Sequence, residues 1–174
     1  MKMKINAEYL EFMWPMRHYL ITCGQMQVKA NIIAVSFCMP VSKEPPLIAC
    51  AIGRSAYSCK LIESEKEFVI NVPTKDMEAK VYYCGFHSGY QVDKFKETGL
   101  TAKPARMVKT VIVDECVAHM ECRLIQVTEA GDKNLFIGEV IEAYADEAAM
   151  QNKEKPDFAM GEFPRKIYGI RFKV

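Results

Sequence analysis

No apolar stretch in the chain approaches the roughly 20 residues that cross a bilayer as a helix, so no transmembrane helix is expected. Nor is there an excess of one charge: 23 Lys and Arg stand against 22 Asp and Glu, a formal net charge of +1. Without a clustered basic face to displace counterions, a dedicated nucleic-acid protein is not expected. The first eight residues contain Lys2 and Lys4 but no apolar run followed by a small-residue cleavage site. They do not read as a signal peptide, and the expected location is the cytoplasm. No cysteine pair has CxxC spacing, which argues against a zinc or iron–sulfur centre. His18, His87 and His119 are too dispersed for a metal site, so no metal is expected. Neither a Walker loop nor a dinucleotide fingerprint is present. Internal repeats and low-complexity tracts are absent too.

What remains is a chain of 174 residues that is 50% hydrophobic. A chain of this size buries about 70% of the surface exposed on unfolding, and residues 1–174 are expected to form one domain. Seven cysteines occur, at positions 23, 38, 50, 59, 84, 116 and 122. An odd count without a secretory leader is poor evidence for a disulfide framework. Most lie in apolar strand-like runs, where a free thiol behaves as a small hydrophobe. Cys84, beside Gly85 in a polar-flanked segment, is the exception.

The pattern along the chain is mainly β with short helices. A short helix holding Tyr9, Leu10, Phe12 and Met13 is expected to end at Pro15. Residues 18–23 and 28–39 read as strands around a Gly24-Gln25 turn, and 43–46 as a second turn. Residues 47–52 form a buried strand, and 55–66 a helix with Ser55 or Arg54 near its cap. A strand at 68–72 precedes short helices at 76–83 and 92–97. The last third reads as strands at 111–113, 118–127 and 135–145, with Gly131-Asp132 as the turn between the long pair, then a charged linker and a final strand at 166–172. Long strands with helical insertions suggest a curled or closed sheet.

Three segments have the means for chemistry. In residues 31–36, Asn31 and Ser36 put polar side chains into a strand otherwise fit for burial. An ordinary strand with a polar face is the simpler account of this segment. In residues 53–58, Arg54, Ser55 and Ser58 stand at a strand-to-helix junction, where unpaired N–H groups favour an anion. Capping by serine accounts for them equally well. In residues 84–95, Gly85 and Gly89 flank Ser88 and allow close backbone approach, while Asp93 and Lys94 stand ready to pair or to reach a ligand. Glu115, Glu121 and Glu139 read as solvated positions on strands, not as a carboxylate pair.

The run NIIAVSFCMPVSKEPPLIACAIG resembles the flavin reductase-like pattern of an asparagine and small hydroxylated residues before a Pro-Pro strand start. SAYSCKLIESEKEFVINVP resembles the block that follows it, CGFHSGYQVDKF the Cys-Gly…Ser-Gly…Asp-Lys-Phe loop, and LFIGEVIEA the late Gly-Glu-Val strand. The four blocks stand in order over roughly residues 15–145 of the chain, nearest to the flavoredoxin-like subgroup. The resemblance implies an FMN-binding split β-barrel, a homodimer with FMN near the subunit interface. It places isoalloxazine contacts on Asn31, Ile32, Ile33, Ala34, Val35 and Ser36, and phosphate contacts on Arg54, Tyr57 and Ser58, with Ser88, Gly89 and Lys94 from the loop. Cys84 would lie near the flavin. Ala56 stands where many relatives are basic, and Arg54 is the candidate replacement; His87 and Tyr90 also occupy positions that are often basic.

Three functions follow as alternatives. In the first, NADH or NADPH gives hydride to bound FMN, which passes electrons to an acceptor; no side chain need act as acid or base, and none is assigned as catalytic. In the second, the chain is a flavoredoxin-type electron carrier reduced by a redox protein partner. In the third, it is a flavin-free interaction module.

Overall fold

The fold was obtained as a computed structural model, which describes residues 7–151 and 160–161. A 3-10 turn over Ala7–Met13 leads to β1 (Met16–Arg17), β2 (Tyr19–Cys23), β3 (Asn31–Val35), β4 (Cys38–Lys43) and β5 (Pro46–Gly53). Then come α1 (Tyr57–Glu65), β6 (Glu67–Val72), a 3-10 turn at Lys75–Met77, α2 (Glu78–Phe86) and α3 (Lys94–Thr98). The chain continues through β7 (Ala102–Pro104), β8 (Val111–Val113), β9 (Ala118–Ala130), β10 (Lys133–Ala145), α4 (Glu147–Gln151) and β11 (Met160–Gly161).

Seven of these strands make one antiparallel sheet in the order β3-β2-β6-β9-β10-β5-β4. Its two edge strands, β3 and β4, are joined in the chain by Ser36 and Phe37 alone. A flat sheet of seven strands would hold its edges roughly 29 Å apart at the usual strand spacing. Two linking residues span no more than about 11 Å. The sheet is therefore curled until its edges meet, and the result is a split β-barrel whose seam is the Ser36–Phe37 link.

Alternation along the strands sends one set of side chains into the barrel and the other outward. Ile21, Phe68, Ile70, Cys122 and Phe136 fill the interior, while neighbouring Leu20 joins Ile32, Val81 and Cys84 in an outer core under α2. All seven cysteines are free thiols and all pack in or against these two cores, as small hydrophobes do. Gly138 marks one of two register shifts in the β9–β10 pair. A Cβ there would lie 2.5 Å from Phe68 Cζ, so the missing side chain lets the bent strand close over that ring.

Several expectations shift. The 28–39 run is two strands broken at the seam, because barrel closure turns the chain there. Gly24, at φ +79°, ends β2, and a turn closed by Val28 N–H on the Gln25 carbonyl delays β3 until Asn31. The helix of the 92–97 region starts at Lys94, since the Asp93 carboxylate accepts from the N–H groups of Phe95 and Lys96 and caps it there. The expected strand at 166–172 lies outside the described residues.

Glu121 corrects the sequence reading outright: it is fully buried. Its carboxylate accepts N–H donations from Arg106 and Met107, both at 2.7 Å, and from Val108 at 3.1 Å, plus the Tyr144 hydroxyl at 2.8 Å. The loop of residues 105–109 folds over β9 and supplies those donors, so an ion that reads as solvated is instead held by four hydrogen bonds. Burial alone would raise its pKa, but the backbone donors and Tyr144 outweigh that and hold it below the usual value. Stability from this group is therefore complete above the ordinary carboxylate pKa of about 4.3 and is lost as the pH falls through the lower folded value. Glu121→Gln keeps the shape but turns an NH2 toward N–H donors, and should cost roughly 1–3 kcal/mol in urea unfolding at neutral pH. The variant should also lose less stability on acidification than the parent. Identical acid dependence in the two proteins would remove this assignment.

Candidate functional site

A groove of about 230 Å³ runs along the seam. Its floor is residues 33–37, the end of β3 and the link to β4. Residues 51–53 of β5 form one side, and Tyr82, Gly85 and Phe86 of α2 the other. Trp14 and His18 close one end, and Lys133 contributes from the start of β10. Small residues keep the groove open: a Cβ on Gly53 would touch nothing within 4 Å, and one on Gly85 would meet only Ala34 at 3.4 Å.

Ser36 is the polar centre of this floor. Its hydroxyl lies 2.6 Å from His18 Nδ1, and the direction of that hydrogen bond follows the imidazole tautomer. His18 is itself buried, with the Trp14 and Tyr82 rings at centroid distances of 6.0 and 5.7 Å. Burial lowers its pKa more than nearby Glu78 raises it, so the ring is neutral at neutral pH. Its Nε2 is buried without a hydrogen-bond partner among the described residues.

Behind β3 the structure gathers a second group. Asn31 Nδ2 donates to Ser58 Oγ at 2.9 Å, and both residues are buried. Gly89 packs so closely on that amide that a Cβ would sit 2.2 Å from Asn31 Oδ1. Lys94, buried too, donates its ammonium to the Cys84 carbonyl at 2.7 Å, tying α3 to the end of α2. It does not pair with Asp93, whose carboxylate caps α3. Desolvation lowers the Lys94 pKa, nearby Cys84 and Cys23 opposing it. The Cys84 side chain belongs to the outer core, and burial pushes its thiol up to about 11, so it is inert near neutral pH. Ser88 turns the connecting loop, its carbonyl accepting from the N–H groups of Gln91 and Val92.

Arg54, Tyr57 and Ser58 stand at the start of α1 but face different ways. Arg54 reaches toward the β9–β10 turn, 3.3 Å from Glu129 Oε2 and 3.3 Å from the Gly131 carbonyl, with half its side chain exposed. The Tyr57 and Tyr90 rings meet at 4.5 Å between centres, tilted by 52°, with the Lys29 ammonium 4.7 Å from the Tyr57 ring centre. The N-cap is neither Ser55 nor Arg54 but Ala56, whose extended backbone begins the helix with no side-chain cap. A nine-residue helix thus opens with N–H groups that no cap side chain occupies.

The predicted residues therefore fall into three places. Ile33, Ala34, Val35 and Ser36 line the groove; Asn31, Ser58, Cys84, Gly89 and Lys94 form the buried knot behind it, next to Ile32 in the outer core; Arg54 and Tyr57 flank the helix start. Sequence reading missed Trp14, His18, Tyr82 and Lys133 as groove residues. No local signal marks them, because the curled sheet alone brings them to the seam; Lys133, for instance, arrives through its pairing with Gly53. Among the described residues no group of three or more His, Cys, Asp or Glu could hold a metal ion, and no helix is long and apolar enough to cross a membrane. The contact between Gly89 and Asn31 is directly checkable. Gly89→Ala should destabilise the protein, and the penalty should shrink in an Asn31→Ala background where the obstructing amide is gone. Purely additive losses in thermal unfolding would contradict this packing.

A family model described as flavin reductase like domain matches residues 14–163. An uncharacterized protein of Archaeoglobus fulgidus is 35% identical over 144 residues, covering 83% of this chain and 80% of that one. Among solved structures, a flavoredoxin from Methanosarcina acetivorans superposes with a TM-score of 0.78 at 31% identity, over 90% of this chain and 81% of the other. An FMN-binding protein from Thermus thermophilus reaches 0.82 over 94% and 91%; at 19% identity that likeness shows the fold alone. With the seam, the groove and the helix start in the positions described, and a family model spanning most of its length, the chain belongs to the flavin reductase-like family.

Proposed function

We propose that the protein binds FMN at the seam and works as an NAD(P)H-dependent flavin reductase in the cytoplasm. The observation that carries this reading is the groove over residues 33–36, which opens beside the start of α1 with its uncapped N–H groups. At about 230 Å³ the groove is below the roughly 300–1,000 Å³ of a pocket that swallows a whole ligand. It suits a flat ring system, and the start of α1 would hold its phosphate.

When bound, the flavin supplies the hydride and electron chemistry, with NADH or NADPH as donor. The chain's own residues orient and shield it. The backbone of residues 31–36 and the Ser36 hydroxyl, held by His18, would orient the ring system. Trp14, Tyr82 and Phe86 keep water from the groove. The phosphate would be held by Arg54, Tyr57 and Ser58, with Ser88, Gly89 and Lys94 shaping the loop beside them. No side chain is assigned as an acid or base.

A second copy completes the site in this reading. A largely apolar cavity of about 490 Å³ lies between the first 3-10 turn and strands β4 and β5, bordered by Tyr9, Met13 and Met39, and it shares Ser36, Phe37 and Ala51 with the groove. Exposed Phe12 and Met39 extend that apolar face, which supports a homodimer with the cofactor near the interface. The likeness to a flavoredoxin favours one further reading, an electron carrier reduced by a protein partner.

The visible spectrum of the purified protein, followed by anaerobic NADH and then NADPH, separates these readings. Oxidised-flavin bands that bleach with a nicotinamide support the reductase; bands that persist support the carrier. A colourless protein that takes up no added FMN would overturn flavin binding and leave an interaction module. Arg54→Ala and Ser58→Ala should each weaken FMN binding by about tenfold or more, since a hydrogen bond to a charged group is worth roughly 1.5–3 kcal/mol. Unchanged affinity in both variants would remove the phosphate assignment.

A further inference from the structure

β4 and β5 pair with Cys38 directly opposite Cys50. One step along the ladder, Ala51 N–H donates to the Phe37 carbonyl at 2.8 Å, so residues 37 and 51 form a hydrogen-bonded pair. Antiparallel pairs alternate, which makes Cys38 and Cys50 a non-hydrogen-bonded pair, the closer kind, with Cα atoms about 4.5 Å apart. That spacing lies inside the roughly 4.4–6.8 Å that a disulfide bridges. The side chains already meet, Sγ to Sγ at 3.1 Å. The other thiols with a described contact, Cys23, Cys59 and Cys122, each turn to a backbone carbonyl instead.

From this geometry we propose that Cys38 and Cys50 are a disulfide-forming site, oxidised by a small-molecule disulfide and reduced again by thiols. The Cys38 thiol attacks the oxidant, forming a mixed disulfide and releasing one thiol. Cys50 then displaces the second, so that two protein thiols and one R–S–S–R become one Cys38–Cys50 bond and two R–SH. The order follows from exposure. Cys38 is half-buried on an edge strand, while Cys50 is fully buried and meets the reagent only through Cys38. The hydrogen bond to Cys38, and then burial, also push the Cys50 thiol well above its ordinary pKa, which makes it the poorer first nucleophile. Cys122 shares the same core and feels the charge of Cys38, so it is the competitor to exclude. The bond would pin β4 to β5 beside residues 36–37 and 51–53 of the groove. It does not depend on whether FMN binds there.

The native protein, as purified, is treated with oxidised glutathione, quenched in acid and analysed by intact mass and peptide mapping. The expected product lacks two hydrogens, carries a peptide joined through Cys38 and Cys50, and shows two fewer free thiols than the original seven. Dithiothreitol restores all seven. Cys50→Ser should retain glutathione on Cys38, Cys38→Ser should take none at position 50, and Cys122→Ser should behave as the parent. No reaction of the parent protein, a stable glutathione adduct on Cys38 with no internal bond, or a bridge from Cys38 to Cys122 would each overturn the proposal. The parent's peptide map decides the matter even if a variant fails to fold.

Discussion

Closure of the sheet on itself through two residues is the constraint from which the rest of this structure follows. Ser36 and Phe37 leave one edge strand and enter the other. Their brevity obliges seven strands to curl, and curling creates an interior that Phe68 and Phe136 fill and an exterior that α2 covers. The same closure makes the seam a place where the backbone is neither fully paired nor fully exposed. That is where the groove lies, and where a strand end, a helix end and a hairpin base come within reach of one ligand.

A second demand is that buried polar groups be satisfied, and the chain meets it with a few multivalent residues. Asn71 donates to the Leu20 carbonyl and accepts from Val113 N–H, and His119 Nδ1 lies 2.9 Å from its oxygen. Glu121 gathers a loop that has little regular structure of its own. Lys94 fastens one short helix to the end of another. Each replaces several weaker local arrangements, and each is costly to leave half-paired. In the groove, His18 Nε2 is left without a partner among the described residues, beside the Ser36 hydroxyl.

What could be read from the sequence was local. The β9–β10 hairpin announced itself through alternation and Gly131-Asp132, and β5 and β6 through short apolar runs. Motif order was legible as well, since the four blocks fall on β3 to β5, α1 with β6, the α2–α3 loop and β10. A closed sheet was anticipated from the long late strands and from the resemblance, but the corner that closes it was not legible, because 28–39 carries no Gly or Pro to mark it; the corner is imposed from outside by the pairing of β4 with β5 and β5 with β10. Burial of Glu121 was hidden for a similar reason. Its donors lie 13 to 15 residues ahead of it, in a loop whose path only the folded sheet defines. The site divides along the same line. Residues 33–36, singled out in the sequence as part of one segment, line the groove floor, whereas Trp14 with His18, Tyr82 and Lys133 come from three separate parts of the chain.

The seam also sets the order in which the molecule can be assembled. β2 with β3, β4 with β5, and β9 with β10 are neighbours in the chain and close cheap loops. β6 with β9 and β5 with β10 join segments far apart in sequence, and such non-local pairings form slowly. The groove borrows walls from both kinds, so it exists only once the last long-range pairing is made. A molecule lodged there touches no folding intermediate and binds the finished barrel alone. Its binding then opposes global unfolding by RT ln(1 + [L]/Kd), and the thermal resistance of the fold becomes a function of ligand concentration.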